Sequence, residues 1–229
     1  MNLLIFILLI VLSIFFMYIS LYMLDKKNYR YIYLIYSILG YLMSFKIIKL
    51  ASINLSANIV IETLFLTLTY LIIEKTTKEE FIKIVKNIFK YNLLVGVLLL
   101  FGSLYIPVVT DVVSINIKYM IIDNYKILLI YPILLAILQL LTYLVYNSIK
   151  ELKLNIQNNI IISSLTILMV DSVIFNLFAY LFKIKLSNII LLILSNYLIK
   201  ILLTTIYSYI ISKQIDNKKV KIWTYFYYL

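Results

Sequence analysis

The sequence predicts an all-α fold, a polytopic membrane helix bundle, and two observations lead to that prediction. Of the 229 residues, 64% are hydrophobic and 14% are charged, and the mean hydropathy is +1.04, far more apolar than a soluble domain. The apolar residues also gather in runs close to the roughly 20 residues that a bilayer-spanning helix needs. We therefore expect one integral membrane domain over residues 1–229 and no soluble domain.

Seven apolar runs are predicted to be transmembrane helices. They extend approximately over Leu3 to Leu24, Tyr31 to Ile48, Asn58 to Ile73, Tyr91 to Val109, Ile127 to Tyr146, Ile160 to Phe182 and Ser187 to Ser212. The first run lacks the basic segment that precedes a signal-peptide core, so it is predicted to be a retained helix. Residues 1–30 then form an extra N-terminal helix and loop, residues 31–212 a six-helix core, and residues 213–229 a basic, aromatic cytoplasmic tail.

Two linking segments have recognisable patterns. From Glu74 to Lys90, apolar side chains recur at helical spacing among lysines, which predicts an amphipathic helix on the membrane surface. The longest polar link, Thr110 to Lys126, is rich in Val and Ile and predicts a short interfacial segment or partial lid. A short turn, Lys183 to Leu186, joins the last two spans.

The basic residues divide unequally between the two sides of this seven-span arrangement. One side receives only Lys46, Lys49, Lys118, Lys126, Lys183 and Lys185, and most of the other basic residues fall on the opposite side. The positive-inside rule then places the N-terminus outside and the C-terminus in the cytoplasm, in a multi-pass protein of the cytoplasmic (inner) membrane. The net charge of +11 is interpreted as a topology signal and an attraction to anionic lipid, not as a nucleic-acid surface.

The composition also excludes several kinds of chemistry. The chain has no cysteine and no histidine, which removes disulfides, thiolate nucleophiles, His-bearing metal sites and His-based acid-base catalysis. The sequence shows no nucleophile-base pair and no metal cluster, so we expect neither an enzyme nor a bound cofactor.

Asp171 and Lys200 are the two charged residues that the runs place deepest. Asp171 lies near the middle of the sixth run and Lys200 near the middle of the seventh, so both sit at similar depth. A charge at the bilayer centre costs about 2.5 to 3.5 kcal/mol on insertion scales, and such residues usually face a bundle interior. We predict that they pair at the centre of a polar site, with a purely structural ion pair as the alternative.

Further polar and aromatic residues share helix faces with this pair. By helical spacing these are Asn196, Thr204 and Tyr207 around Lys200, then Ser164, Phe175 and Phe178 around Asp171, with Gln139 and Tyr143 on the fifth run. Rings, amides and a carboxylate together suit a small, flat, hydrogen-bonding molecule, although such residues can also simply tie helices together. Glu62 and Lys46, each near a helix end, are predicted to reach water, and Glu74, Glu79 and Glu80 to lie on a solvated helix.

Short motifs in both halves of the chain carry a resemblance to a known family. The front half has Lys46-Ile47-Ile48-Lys49-Leu50, then Asn58-Ile59 with Phe65-Leu66, then Glu74 followed by Lys78-Glu79-Glu80. The back half has Asp171-Ser172-Val173-Ile174-Phe175 with Ala179, then Asn196-Tyr197-Leu198-Ile199-Lys200. In order and spacing these segments resemble the queuosine precursor transporter family, and the resemblance covers nearly the whole chain. The chain departs from the family pattern at Tyr70, Thr76, Thr77 and Tyr207-Ser208-Tyr209.

The resemblance implies uptake of a 7-deazaguanine, such as the nitrile or aminomethyl precursor of queuosine, or queuine itself. Asp171 would accept hydrogen bonds from the amino-pyrimidinone edge or pair with the aminomethyl cation, and Lys200 would keep it ionised. Phe175 or Phe178 would stack on the ring, and Asn196 or Gln139 would contact its remaining edge. The implied substrate-binding residues are Asp171, Lys200, Asn196, Phe175, Gln139 and Ser172.

Two other functions remain open at the level of sequence. The chain has no Gly-rich phosphate loop of its own, so it could be the substrate-binding membrane subunit of an ATP-driven vitamin importer, with an ATPase partner. It could instead be a membrane anchor or sensor in which the two charges only fix helix register. Expected partners are therefore a small-molecule substrate and the lipid bilayer, with an energising ATPase or a second copy of the chain left open and nucleic acid not expected.

Overall fold

The computed structural model describes residues 2–25, 29–50, 53–106, 111–181 and 183–216, which contain eight α-helices and one β-hairpin. In chain order the elements are α1 (Asn2–Asp25), α2 (Tyr29–Met43), β1 (Ile47–Leu50), β2 (Ile53–Ser56), α3 (Ile59–Lys75), α4 (Lys78–Leu104), α5 (Val112–Asp123), α6 (Tyr125–Lys150), α7 (Ile156–Tyr180) and α8 (Leu186–Asp216).

Five of these helices, α1, α4, α6, α7 and α8, are long and apolar enough to cross a membrane. The prediction of a multi-pass helical membrane bundle is confirmed at this level. Helices α2 and α3 have 15 and 17 residues, which corresponds to about 23 and 26 Å at 1.5 Å per residue. Both are shorter than the roughly 30 Å hydrocarbon core.

A β-hairpin between α2 and α3 was not predicted. Helix α2 ends at Met43, not at Ile48 as the apolar run suggested, and Ile47–Leu50 instead pairs antiparallel with Ile53–Ser56. The hairpin is held at both edges, because the Asn2 amide donates to the Lys49 carbonyl at 2.8 Å and the Ser195 hydroxyl donates to the Asn54 carbonyl at 2.9 Å. These contacts fix it against α1 and α8.

Helix α3 is the central element of the bundle. Nearly all of its residues from Ile59 to Ile73 are buried, and it packs against α1, α2, α6, α7 and α8. Its threonines are satisfied within the helix, since the Thr63 and Thr67 hydroxyls donate to the carbonyls four residues back at 2.6 and 2.7 Å. The remaining polar side chains of α3 are therefore directed at neighbouring helices.

The predicted surface helix and the fourth span form one continuous helix, α4, so the prediction of two separate elements is wrong. Helix α4 begins at a capping box, in which the Thr77 hydroxyl accepts from the Glu80 amide at 3.3 Å and the Glu80 carboxylate accepts from the Thr77 amide at 3.5 Å. The apolar face of its first half is buried in the bundle, through Phe81, Ile84, Val85 and Ile88. No proline or glycine interrupts the chain near Lys90, so the helix continues.

The link over residues 110–126 contains helix α5, which packs on α4 and α6. The Asp111 carboxylate caps α5 by accepting from the Ser114 amide at 3.0 Å. At the turn after α7, the Lys183 ammonium donates to the Asn124 side chain at 2.9 Å and to the Asp123 carbonyl. Partial burial there lowers the pKa of Lys183. The predicted aromatic cluster of the tail, residues 223–228, lies outside the described residues.

Candidate functional site: a buried ionic triad

Three charged side chains meet inside the bundle. The Lys200 ammonium on α8 donates to the Glu62 carboxylate on α3 at 2.7 Å and to the Asp171 carboxylate on α7. The exposed fractions of the side chains are 2% for Lys200, 2% for Glu62 and 0% for Asp171. The structure therefore brings the predicted pair of Asp171 and Lys200 together and adds a second carboxylate. We call Glu62, Asp171 and Lys200 the buried triad.

The prediction that Glu62 reaches water is wrong. Glu62 does lie in the first turn of α3, but its side chain is 2% exposed and packs against α8 through Lys200. The Asn58 amide, one turn earlier, donates to the same Glu62 oxygen that Lys200 contacts, at 3.1 Å. An acidic residue within an apolar run was the signal that could have placed Glu62 in the site.

Asp171 stands on the buried face of α7. This face follows steps of three and four residues and carries Ser164, Leu168, Asp171, Ser172, Phe175, Asn176 and Ala179. Phe178, predicted to share the face, is 57% exposed. The buried face continues from Phe175 to Ala179, and Phe178 points away from it. Of the two phenylalanines predicted near Asp171, only Phe175 lies on the buried face.

Asn196 connects the hairpin to α7 just beyond the triad. Its carbonyl oxygen accepts from the Ser56 backbone amide at 3.1 Å, and its amide donates to the Asn176 side chain at 3.2 Å. Asn196 is one turn before Lys200 on α8, so this pair of bonds closes the hairpin side of the triad. The sequence placed Asn196 on the correct face but gave no indication of Ser56 or Asn176 as its partners.

Several buried polar atoms around the triad have no hydrogen-bond partner within the described residues. They are Asp171 Oδ1, Ser172 Oγ, Asn58 Oδ1, Ser56 Oγ and Tyr180 Oη. The Tyr180 and Ser56 hydroxyls lie close enough to satisfy each other, which leaves Asp171 Oδ1, Ser172 Oγ and Asn58 Oδ1. Each such atom costs about 1–3 kcal/mol of desolvation that no bond returns. Their concentration beside one ion pair marks a place where a bound molecule would complete the bonds.

An aromatic wall borders the same region. The Phe175 ring contacts Tyr131 edge-on, with centroids 6.0 Å apart, and Tyr180 edge-on at 6.2 Å. Tyr131 in turn stacks on Tyr41 at 5.2 Å and an angle of 11°. Phe175 shares the buried face of α7 with Asp171, and Tyr131 is a neighbour that the sequence did not single out. Such rings offer faces and edges for a planar ligand.

Gln139 is buried but lies away from the triad. Its amide donates to the Tyr33 hydroxyl at 3.0 Å, and Tyr33 also bonds to the Thr69 hydroxyl. Thr69 is seven residues beyond Glu62, which is about 10 Å along α3. We call Tyr33, Thr69 and Gln139 the middle cluster, and it is separate from the buried triad.

The polar residues at the far end of the α8 stripe also serve other contacts. The Tyr207 hydroxyl bonds to the Ser13 hydroxyl of α1 at 2.6 Å, and Thr204 is buried on the same face. The predicted inward orientation of Asn196, Lys200, Thr204 and Tyr207 is correct. Lys200 belongs to the triad, and Asn196 lies one turn from it on α8.

The chain was also compared with known proteins. No family model, no curated protein and no solved structure matches it.

Proposed function

We propose that the protein is a membrane transporter that imports a small, planar, hydrogen-bonding molecule through the region of the buried triad. The observation that supports this most is the set of partnerless polar atoms beside Asp171 and Lys200. A helix-tying ion pair in an apolar bundle is expected to have its oxygens and hydroxyls satisfied. Here the Asp171 Oδ1 and Asn58 Oδ1 oxygens and the Ser172 hydroxyl have no partner among the described residues.

The proposed substrate class is a 7-deazaguanine, as the resemblance to queuosine precursor transporters implies. Asp171 Oδ1 would accept from the amino-pyrimidinone edge or pair with an aminomethyl cation, and the Asn58 oxygen and Ser172 hydroxyl would bond to other donors and acceptors of the substrate. Phe175 and Tyr131 would line the ring. Lys200 would stay paired with Asp171 while the substrate is bound, and Asn196 would act through the hairpin that closes the site.

The proposed membrane arrangement has seven crossings, an external N-terminus and a cytoplasmic C-terminus in the cytoplasmic membrane. Two of the crossings are then the short helices α2 and α3, joined by the hairpin. The hairpin contacts Asn196, which is ten residues or about 15 Å from the beginning of α8. Non-helical backbone at membrane depth is found where it is buried in protein or lines a cavity, and interrupted helices surround many transport sites.

The hairpin is accordingly proposed as the outer gate of an alternating-access cycle. It covers the triad through the bond from Ser56 to Asn196 and is anchored on α8 through Ser195. Releasing these two contacts, together with the bond from Asn2 to Lys49, would let the hairpin move away from α8 without separating long helices. The link over residues 110–126, the sequence-based candidate for a lid, packs on α4 and α6 instead.

The test is growth-linked rescue. The chain is expressed in a bacterium that cannot make queuosine and lacks its own importer, precursors are supplied singly, and transfer RNA is assayed for queuosine. Rescue by at least one precursor, lost in Asp171→Asn and kept in Gln139→Leu at equal membrane abundance, is the expected result. Rescue that survives in Asp171→Asn would refute the role of the triad, and no rescue by any precursor would refute the substrate class.

A second arm of the same test addresses a purely structural triad. Since Glu62 joins the pair, replacing Asp171 and Lys200 alone would leave Glu62 buried without its cation. The neutral replacement must therefore be triple, Glu62→Gln with Asp171→Asn and Lys200→Met. An anchor or sensor should retain its function in this variant, because buried ion pairs can often be exchanged for neutral packing. A transporter should reach the membrane and fail to rescue.

A further inference from the structure

The buried triad is unbalanced in charge. Two carboxylates share one ammonium, so the cluster carries one excess negative charge when all three groups are ionised. The side chains that face it from other elements are neutral, namely Asn58 before α3, Tyr131 on α6 and Tyr180 on α7. Among the residues whose side chains are described, Lys200 is the one buried basic residue. The described residues therefore offer no side chain that supplies the compensating positive charge.

A buried charge without a counter-charge is unfavourable in a low-dielectric bundle. Without substrate, a proton taken from water can supply this charge by binding to one of the two carboxylates. In the loaded protein, a cationic substrate can supply the charge instead. The atoms left without partners favour a donor, because Asp171 Oδ1 and Asn58 Oδ1 only accept, and a primary ammonium has three donors and no acceptor.

We propose that the triad holds one exchangeable proton, shared by Glu62 and Asp171, and that a substrate bearing a primary ammonium group takes its place. This inference rests on the proposed function and specifies its substrate. Of the 7-deazaguanines, the aminomethyl form has such a group, whereas the nitrile form is neutral and ends in an acceptor nitrogen that would face two acceptor oxygens. The site therefore selects the aminomethyl form.

The exchange conserves charge at each step. The empty site contains one carboxylic acid, one carboxylate and the Lys200 ammonium, with a net charge of zero. When the substrate ammonium enters, the acid loses its proton to water on the side from which the substrate came. Two carboxylates then face two ammonium groups, and the net charge is again zero. When the substrate ammonium leaves on the cytoplasmic side, one carboxylate takes up a proton from the cytoplasm and the net charge stays zero. Each inward passage of substrate is thus coupled to one outward proton.

The first measurement is calorimetry on the purified protein in lipid nanodiscs, with each precursor titrated in two buffers of different protonation enthalpy. The aminomethyl form is expected to release about one proton per molecule bound, and the nitrile form none. Glu62→Gln should abolish the release and weaken aminomethyl binding by at least about 10-fold, because the neutralised site no longer lacks a positive charge. Glu74→Gln, which changes a carboxylate outside the triad, should behave as the wild type.

The second measurement needs no ligand and separates this inference from the proposed function. Infrared spectra of the empty protein near neutral pH should show the carbonyl band of a buried carboxylic acid, which shifts in heavy water. The band should disappear in both Glu62→Gln and Asp171→Asn, since either change restores charge balance without a proton. Having two variants keeps the test decisive if one of them does not fold.

The two measurements test the shared proton and the exchange with substrate separately. A wild-type protein without the carboxylic acid band overturns the shared proton, whichever precursor binds. Equal or tighter binding of the nitrile form, or aminomethyl binding without proton release, overturns the exchange. If the band is present and neither precursor binds, the shared proton is supported, while the 7-deazaguanine substrate and the selection of its aminomethyl form are both refuted.

Discussion

Helix α3 contributes a carboxylate to two ionic clusters, which differ in charge balance, in hydrogen bonding and in exposure to solvent. At its last turn Glu74 accepts from the Tyr146 hydroxyl at 2.8 Å and from the Lys150 ammonium at 2.8 and 2.9 Å. We call Glu74, Tyr146 and Lys150 the basal cluster. It has one carboxylate for one ammonium, both carboxylate oxygens are bonded, and Lys150 is 51% exposed. The buried triad near the opposite end of α3 has two carboxylates for one ammonium and an unbonded oxygen.

The difference indicates how to tell a structural ion pair from a site. A balanced pair that touches solvent pays little for desolvation and contributes about 0–1 kcal/mol. A buried cluster with an excess negative charge and unpaired polar atoms lowers the stability of the protein. Stability therefore does not explain the triad, whereas ligand binding would, because a ligand can bond to the unpaired atoms. The following substitutions test this contrast in order of expected effect.

Removing the shared cation should have the largest effect. Lys200→Met leaves Glu62 and Asp171 as uncompensated buried carboxylates and should destabilise the protein by about 3–5 kcal/mol. Thermal unfolding in detergent, monitored by size-exclusion chromatography, and abundance in the membrane are the measurements. The triple neutral variant of the triad should recover most of the loss. Wild-type stability in Lys200→Met would show that the triad is less enclosed than its geometry indicates.

Neutralising one carboxylate should affect transport more than stability. Asp171→Asn preserves shape and removes the charge-assisted bonds proposed for the substrate, each worth about 1.5–3 kcal/mol. Substrate affinity should fall about 10- to 150-fold, measured as uptake of labelled aminomethyl precursor into vesicles. Glu74→Gln in the basal cluster is the matched control and should transport normally. If both variants lose transport equally, the contrast between the clusters is wrong.

Adding a methyl group against the aromatic wall should have a moderate effect on stability. A Cβ at Gly40 of α2 would lie 2.8 Å from the Tyr131 hydroxyl, whereas a Cβ at Gly102 of α4 would meet nothing within 4 Å. Gly40→Ala should destabilise the protein by about 1–3 kcal/mol through overpacking and weaken substrate binding by moving Tyr131. Gly102→Ala should be neutral or stabilise by about 0.5–1 kcal/mol. Unfolding midpoints of the two alanine variants check this directly.

The middle cluster lies between the two ionic clusters and should resemble the basal one. Gln139→Leu removes one hydrogen bond to Tyr33, which Thr69 still satisfies, and should cost about 0.5–1.5 kcal/mol in unfolding free energy. Transport should be unchanged, because Gln139 is about two turns from the triad. A selective loss of uptake in Gln139→Leu at normal abundance would extend the site to the middle cluster and support the residue set derived from sequence.

The sequence identified Asp171 and Lys200 because a charge in the middle of an apolar run has few explanations, and helical spacing placed Asn196 and Phe175 beside them. The same signal applies to Glu62, but its closeness to a helix end predicts access to water, and that inference fails where the helix end is buried. The hairpin was also not predicted, because Ile47 and Ile48 of β1 continue the apolar run of α2 and the residues of β2 fall in a link between two runs.

Depth along the bundle was the other quantity that spacing could not supply. Gln139 was correctly predicted to be buried, but helical periodicity gives the direction of a side chain and not the level at which neighbouring helices meet. The same limit applies to Phe178. Its seven-residue spacing from Asp171 predicts a shared face, but its side chain is exposed in the packed bundle. Periodicity predicts faces, and tertiary contacts decide which positions on a face meet.

The smallest effect is expected in the basal cluster itself. Glu74→Gln keeps an acceptor for the Tyr146 hydroxyl and loses only the half-exposed ion pair with Lys150, which screening limits to less than about 1 kcal/mol. Unfolding midpoints measured at low and high salt should converge for wild type and variant as salt rises, because the lost interaction is solvent-accessible. For Glu62→Gln the difference from wild type should persist at high salt, because the triad is enclosed. Equal salt responses at positions 62 and 74 would mean that ions reach both clusters, and the enclosure on which the proposed exchange of proton for substrate depends would be absent.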